Sequence, residues 1–195
     1  MYRPALESYV AAAEPAGYRA WMLPADDIKP IDEMFCLIHV DDRDRDYLMH
    51  LMYPNQLTAA GGLAPSDTDL TLLQLTMKMP FPVAIEPAGD LALLLHAFNL
   101  YVPIGQFILS DQERQVVMRG ALTHVDAALP PWMVVEAIDM MRLFALRFGD
   151  LIEQVASGAA TYARTVADLI AQSERLTAPP DTGTAHPAQT PNLQP

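Results

Sequence analysis

The densest charge cluster of the chain is the segment 41–46, where four aspartates alternate with two arginines. Asp42, Asp44 and Asp46 match the first three ligand positions of a calcium-binding loop. The match then fails, because Tyr47 stands where that loop needs a glycine and the closing bidentate glutamate is absent. We predict a solvated hairpin turn here, with metal binding or diphosphate-sugar chemistry as the alternative.

Histidine and cysteine are the next residue types that could bind a metal or act as nucleophiles. His39 and His50 fall on two strands that we predict to be neighbours, but no third ligand is visible for a zinc site. Cys36 stands among apolar residues and is interpreted as an inert core thiol, without a second cysteine for a disulfide. The spacing of the histidines fits neither HExxH nor a Cys/His zinc pattern: His39, His50, His96, His124 and His186.

The remaining catalytic patterns also fail. Ser157 lies outside any GxSxG sequence, and no glycine-rich phosphate loop is present. The acid pairs Asp26/Asp27 and Asp32/Glu33 could act as general acid and base, but they are interpreted as surface charge. The sequence therefore predicts no catalytic residue, no metal ligand and no cofactor.

Length and composition limit the class of protein. The 195 residues are 51% hydrophobic and 18% charged, which predicts one ordinary domain with a substantial core. A net charge of -12 and a pI near 4.6 would repel a phosphate backbone, so nucleic acid is not expected as a partner. We find no signal peptide and no membrane span in the sequence, and predict a cytoplasmic protein.

Hydrophobic periodicity predicts an α+β fold, with helices packed on an antiparallel β-sheet. A proline-rich, nearly uncharged stretch after Leu176 predicts a flexible tail. We expect an N-terminal helix and linker (1–30), the α+β domain (31–156), a C-terminal helical extension (157–176) and the tail (177–195). The predicted elements are helix Tyr2–Glu14, strands Met34–Val40, Asp46–Tyr53 and Asp69–Met79, helix Leu91–Tyr101, hairpin strands Gly105–Leu109 and Gln115–His124, and helices Trp132–Val155 and Ala159–Arg175.

The predicted strands and the long helix contain more apolar residues than are needed to cover one face of the sheet. The strand 47–53 is apolar on both parities, so its second face is expected to meet another chain. The chain has 11 methionines, a residue type that adapts to partners of different shape. The long helix carries a second apolar line, which predicts a dimer interface at Ile138, Met141 and Ala145. The predicted partner-binding residues are Leu48, His50, Met52, Met77 and Met79.

The segment Ala97–Leu109 reads AFNLYVPIGQFIL. It resembles the passage from helix to strand in type III secretion chaperones and their YbjN-like relatives. The predicted order of helix, three strands, helix, hairpin and long helix is also similar to that superfamily, over residues 34–155. The resemblance implies a dimeric, non-enzymatic protein that binds an extended segment of a client or acts as a regulator.

Three functions follow as hypotheses. The first is a protein-binding module, expected to be a homodimer, that receives an apolar segment of a client by strand addition or in side-chain pockets. The second is a structural or adaptor subunit that docks into a larger assembly through residues 159–195. The third is an enzyme with an unfamiliar site near Asp42, Asp44 and His50.

Overall fold

The computed structural model describes residues 2–56, 70–110, 112–125 and 128–177. These residues form an antiparallel six-stranded sheet and four α-helices, which confirms the α+β prediction. The helices are α1 (Tyr2–Ala13), α2 (Ala88–Asn99), α3 (Pro131–Ala156) and α4 (Tyr162–Thr177). The strands are β1 (Arg19–Leu23), β2 (Glu33–Val40), β3 (Asp46–Met52), β4 (Thr71–Pro82), β5 (Gln106–Ser110) and β6 (Gln115–His124).

The sheet is a meander that is completed by a hairpin. Strands β1 to β4 lie side by side in chain order, and β6 then pairs with β4 while β5 forms the far edge. Every neighbouring pair is antiparallel. The helix α2 connects the meander to the hairpin and packs against β5.

The helices form one layer on one side of the sheet. α1 packs against β1 and β2, and α3 packs against β2, β4 and β6 as well as against α1 and α2. Strand residues therefore alternate between a covered face, which is buried under this layer, and an open face on which no described helix packs. The open face comprises the side chains of Arg19, Trp21, Leu23, Glu33, Phe35, Leu37, Leu48, His50, Met52, Leu72, Gln74, Thr76, Lys78, Gln106, Ile108, Val117, Arg119, Ala121 and Thr123.

Methionines fill the centre of the core on the covered face. Met49, Met77 and Met118 are paired across β3, β4 and β6, and all three are fully buried. Gly120 lets α3 approach this face closely, because a Cβ atom there would lie 3.1 Å from the sulfur of Met141. Unbranched side chains suit this interface, since they adapt to the irregular space between helix and sheet.

β1 is the element that the sequence prediction missed. Residues 1–30 were expected to hold a helix and a linker, but β1 pairs with β2 along its full length. The preceding helix α1 buries Leu6, Tyr9 and Ala13 in the same core as the sheet. Residues 2–23 are thus an integral part of the α+β domain.

β4 also differs from its prediction at one end. The strand was predicted to end at Met79, before Pro80 and Pro82, yet it continues to Pro82. The register between β4 and β6 shifts between Lys78 and Pro82, which accommodates residues that have no N–H group to donate. The other predicted helices and strands are present, with ends that differ by a few residues.

The passage from α2 to β5 depends on two residues of the segment that carries the family resemblance. The side-chain amide of Asn99 donates to the carbonyl of Phe107 (2.9 Å), and the N–H of Phe107 donates back to Asn99 Oδ1 (2.7 Å). Gly105 has φ +81°, and a Cβ atom there would lie 3.0 Å from the carbonyl oxygen of Arg119. Glycine is therefore required where the chain turns into β5.

The C-terminal part of the described chain is a separate helix. A turn at Gly158, with φ +79°, ends α3, and α4 then packs against α2 and α3. The N–H of Tyr162 donates to the carboxylate of Asp90 at the start of α2 (3.2 Å). The predicted flexible tail lies outside the described residues from 178 onward.

Candidate functional site

Three rings stack across the open face on neighbouring strands. Register places Trp21 of β1 opposite Phe35 of β2, and Phe35 opposite His50 of β3. The ring centroids of Trp21 and Phe35 are 5.9 Å apart, and those of Phe35 and His50 are 4.9 Å apart, with nearly parallel planes in both pairs. Trp21 remains 37% exposed. We name these three residues the ring ladder.

Aliphatic side chains extend the ring ladder along the same strands. Leu37 and Leu48 face each other on one side of it, and both are half-buried. On the other side, Met52 is half-buried and Leu23 is 47% exposed. Together they form an apolar surface on β1, β2 and β3 that the chain's own described helices leave uncovered.

A small charged cluster lies beside the ring ladder. Nε2 of His50 is 2.8 Å from Oε1 of Glu33, and Nζ of Lys29 contacts the other carboxylate oxygen. Burial lowers the pKa of His50, and the Glu33 carboxylate acts in the opposite direction. Because burial dominates, His50 is neutral near pH 7 and adds an uncharged aromatic surface to the open face.

Asp32 and Glu33 were predicted to be surface charges, and the structure shows that both are buried. Asp32 is 8% exposed and Glu33 is 2% exposed. Asp32 accepts two hydrogen bonds from the guanidinium of Arg3, at 2.9 and 2.7 Å, while Glu33 is held by the cluster described above. Each buried carboxylate thus lies next to a cation, which is how buried acids are normally compensated.

Two of the five predicted partner-binding residues lie on the wrong face. Leu48, His50 and Met52 are on the open face, as the alternation predicted, whereas Met77 and Met79 are fully buried on the covered face. The alternation of β4 places its methionines under the helix layer, so they have no surface to offer a partner. We therefore withdraw Met77 and Met79 from the predicted surface.

The predicted dimer interface is also part of the core. Ile138, Met141 and Ala145 are each 0% exposed and belong to the main hydrophobic cluster. The second apolar line of α3 is the line that faces the sheet, so it is covered by the chain itself. These three residues cannot contact a second copy in this fold.

The aspartate-rich segment forms the turn between β2 and β3 and is bound to α3. Asp41 accepts hydrogen bonds from the backbone N–H groups of Arg43 and Arg45, both at 2.9 Å. The guanidinium of Arg45 lies 2.9 and 2.8 Å from the two carboxylate oxygens of Glu153, and Arg43 lies 2.6 Å from one of them. The predicted hairpin turn is confirmed, and a polar cleft of about 600 Å³ lies beside it.

The other candidate residues are not brought together. His39 is paired with Tyr47, near the turn, whereas His50 is paired with Phe35 further along the hairpin. His50 is also removed from Asp42 and Asp44, which lie in the turn that precedes β3. Cys36 is buried, and this burial raises the pKa of its thiol to about 12. Among the described residues, no group of three His, Cys, Asp or Glu side chains is arranged to hold a metal ion.

Sequence reasoning missed the two residues that define the ring ladder together with His50. Trp21 was assigned to a linker, although exposed and half-buried residues alternate strictly from Arg19 to Leu23. Phe35 lies in the predicted strand Met34–Val40 but is not among the predicted partner-binding residues. Neither residue carried a clear signal in the sequence, because residues 20–23 and 34–38 are apolar on both parities and the alternation of exposure appears only in the folded sheet.

These features define an α+β protein in which helices cover one face of an antiparallel sheet and an aromatic and aliphatic surface lies on the other. No family model matches the chain, and no curated protein matches it. No helix among the described residues is long and apolar enough to cross a membrane.

Proposed function

We propose that this chain is a non-enzymatic protein-binding module that holds an apolar or extended segment of a client protein on its open face. In this role it would be similar to a secretion chaperone or a YbjN-like regulator. The proposal includes a cytoplasmic location and a homodimeric state. It rests on the resemblance of residues 34–155 and on the surface described above.

The observation that carries the proposal is the one-sided coverage of the sheet. Trp21 and Leu23 are 37% and 47% exposed, and Leu37, Leu48 and Met52 are only half-buried. Removing apolar surface from water contributes roughly 25 cal/mol per Å² to an association, from which the cost of ordering the two partners is subtracted. A client segment lying over these strands would supply the layer that the chain's described helices do not.

The route of binding is expected to be the face of the sheet and not its β5 edge. Strand addition needs outward-facing backbone groups that are free to pair. At β5 the outward-facing N–H and carbonyl of Phe107 are already bound by Asn99. A client strand would have to displace that side chain, so contacts to open-face side chains are a better route than pairing with β5.

A homodimer would have to form through residues other than those of the core line on α3. The helix layer offers exposed apolar residues for this purpose: Leu93 of α2 is 53% exposed and Leu143 of α3 is 58% exposed. These residues lie on the opposite side of the molecule from the open face. Dimerisation there would leave the client surface accessible.

The alternative is an adaptor subunit that docks into an assembly through α4. One observation favours it, because α4 is amphipathic and its apolar side is only partly covered by α2 and α3. Ile170 is 54% exposed and Leu169 is half-buried. Such a helix can dock its apolar side into a groove of a partner.

The test compares partner capture by variants of the two surfaces. The full chain would be immobilised, bound proteins would be identified by mass spectrometry, and each complex would be rebuilt from purified components. Trp21→Ser with Leu48→Ser should lose the client, whereas Leu100→Ser, at an exposed leucine that follows α2, should retain it. Retention by the double variant, or no reconstituted complex with the parent chain, contradicts the proposal.

Ile170→Glu separates the alternative from the main proposal. It places a charge in the middle of the partly covered side of α4 without removing the helix. A client held on the open face should bind this variant as it binds the parent chain. Loss of the partner with Ile170→Glu, and not with the open-face variant, would establish the adaptor function instead.

A further inference from the structure

The register of the sheet aligns six open-face side chains in one row across all six strands. Trp21, Phe35 and His50 of the ring ladder occupy one half of the row. Thr76 of β4 follows His50, and Arg119 of β6 follows Thr76. The row ends at Gln106 of β5. An aromatic surface and a cation therefore lie at the same level of the sheet.

The spacing of strands sets the distance between these two features. Neighbouring strands lie about 4.8 Å apart, so Trp21 and Arg119 are separated by about 19 Å. An extended chain rises about 3.3 Å per residue, so about six residues of a partner would span this distance. The row thus has the dimensions of a short peptide segment.

The charges of the open face are opposite in sign to those of the chain as a whole. The chain has 24 acidic and 12 basic residues, yet the exposed charged side chains of the open face include the cations Arg19, Lys78 and Arg119. Arg19 and Arg119 form no ion pair with any described residue, and Lys78 lies 2.7 Å from Glu113 of the adjoining turn.

Acidic side chains contribute little to this face. Of the open-face strand residues named above, Glu33 is the acidic one, and it is 2% exposed and in contact with Lys29 and His50. Asp46 is exposed at the end of β3, next to the turn that leads back to β2. The centre of the face therefore presents apolar groups on β1 to β3 and positive charge on β6.

We propose that the open face selects client segments in which apolar and acidic residues are combined, with an apolar side chain on the ring ladder and a carboxylate at Arg119. This inference rests on the proposed function, since it names the chemistry of the client bound there. Complementary charge raises the rate of association and excludes partners of the wrong sign. A basic or uncharged segment would leave Arg119 without a counter-charge.

The chemistry of the client can be measured with a displayed library of random 12-residue peptides. Selection on the full chain should enrich peptides that combine Leu, Ile, Val or aromatic residues with Asp or Glu. Selection on Arg119→Glu should enrich Lys or Arg in place of the acids. Arg147→Glu, at an exposed arginine on α3, is the matched control and should enrich the same peptides as the parent chain.

Affinities of one enriched peptide then test the two halves of the row separately. Arg119→Glu should weaken binding about tenfold at low salt, and raising the salt concentration should reduce this difference because exposed charges are screened. Trp21→Ser should weaken binding by a similar factor that does not depend on salt. Arg147→Glu should leave the dissociation constant within about twofold.

The outcomes separate this inference from the function on which it rests. Enriched peptides without acidic bias, or an unchanged selection with Arg119→Glu, would overturn the inference while open-face binding still stands. No enrichment of any peptide would count against both. A concentration-dependent dimer that is lost with Arg119→Glu would assign the face to a second copy of the chain and overturn the inference.

Discussion

His50 shows how the environment of one side chain fixes its charge. It lies between the ring of Phe35 and the carboxylate of Glu33, with Lys29 beyond that carboxylate. Burial is the largest influence and lowers the pKa of His50. The neutral form is thus favoured in the folded chain, even though an acid lies within contact distance.

This environment predicts a pH dependence of stability. Below the unfolded-state pKa of about 6.5, the histidine is protonated in the unfolded chain, whereas His50 of the folded chain binds a proton less readily. The free energy of unfolding therefore decreases as the pH is lowered. The slope from one such group is at most about 1.4 kcal/mol per pH unit. Urea unfolding between pH 7 and pH 5 should show a smaller loss for His50→Gln than for the parent chain.

The matched control for this experiment is His96→Gln, which removes an exposed imidazole from α2. Its stability curve should run parallel to that of the parent chain. If the stability curve of His50→Gln is also parallel to that of the parent chain over this pH range, the assignment of His50 as a destabilised cation is wrong.

Asn99 has a structural role that sequence reasoning recognised only as a motif. Its amide binds both backbone groups of Phe107 at the edge of the sheet. Replacement by alanine leaves these partly buried groups without their partner, which should cost about 1–3 kcal/mol in the free energy of unfolding. Asn99→Asp keeps the acceptor for the Phe107 N–H but places a carboxylate oxygen against the Phe107 carbonyl, so it should also be destabilised at pH 7. Equal urea midpoints for Asn99→Ala and the parent chain would contradict this role.

At the scale of elements, side-chain charges join the β2–β3 turn to α3. Hydrogen bonding from Arg45 lowers the pKa of Glu153, and this acid in turn holds the Arg45 guanidinium with both of its oxygens. Arg43 contributes less because its side chain is 69% exposed. The pair fixes the turn next to a helix that is 108 residues away in the sequence.

Glu153→Gln tests this connection. A stabilising acid with a lowered pKa contributes fully above its unfolded pKa, and the contribution is lost as the pH falls through the folded value. We expect Glu153→Gln to lose about 1 kcal/mol at pH 7 and a smaller amount at pH 3, because the contribution of the carboxylate declines below its unfolded-state pKa of about 4.3. Arg43→Gln should lose less than Glu153→Gln at pH 7. An equal loss at both pH values would show that packing, not charge, is responsible.

Periodicity was sufficient for most elements but not for deciding which face is covered. The apolar run from Tyr47 to Tyr53 and the alternation of β4 predicted two strands, and the structure contains both. Both faces of β3 and both lines of α3 are apolar, so sequence alone could not show which one meets the core. Met141 was misassigned for this reason, since the choice depends on where distant helices pack. Met77 was misassigned although the alternation of β4 with Gln74, Thr76 and Lys78 indicated that its methionines lie on the buried face.

The sequence did not predict β1, because the segment is too short to show a clear hydrophobic pattern. It has only five residues and lies near prolines, and its one polar residue, Arg19, stands at its start. β1 is joined to its partner β2 by a loop that contains Asp26. The side chain of Asp26 accepts hydrogen bonds from the backbone N–H groups of Ile28 and Lys29. The pairing between these strands, not the composition of β1, makes Trp21 part of the site.

At the scale of the whole molecule, function depends on a sheet with one covered and one open face, and two adjacent residues of β3 test this arrangement. Met49 is fully buried under the helix layer, while Leu48 is half-buried on the open face. Met49→Ser should lower the free energy of unfolding by about 3 kcal/mol, because it leaves a cavity in the core. Leu48→Ser should cost less than about 1 kcal/mol in the isolated chain. Chemical unfolding of both variants measures the difference, and similar losses would mean that the open face is covered in solution and is not available to a client.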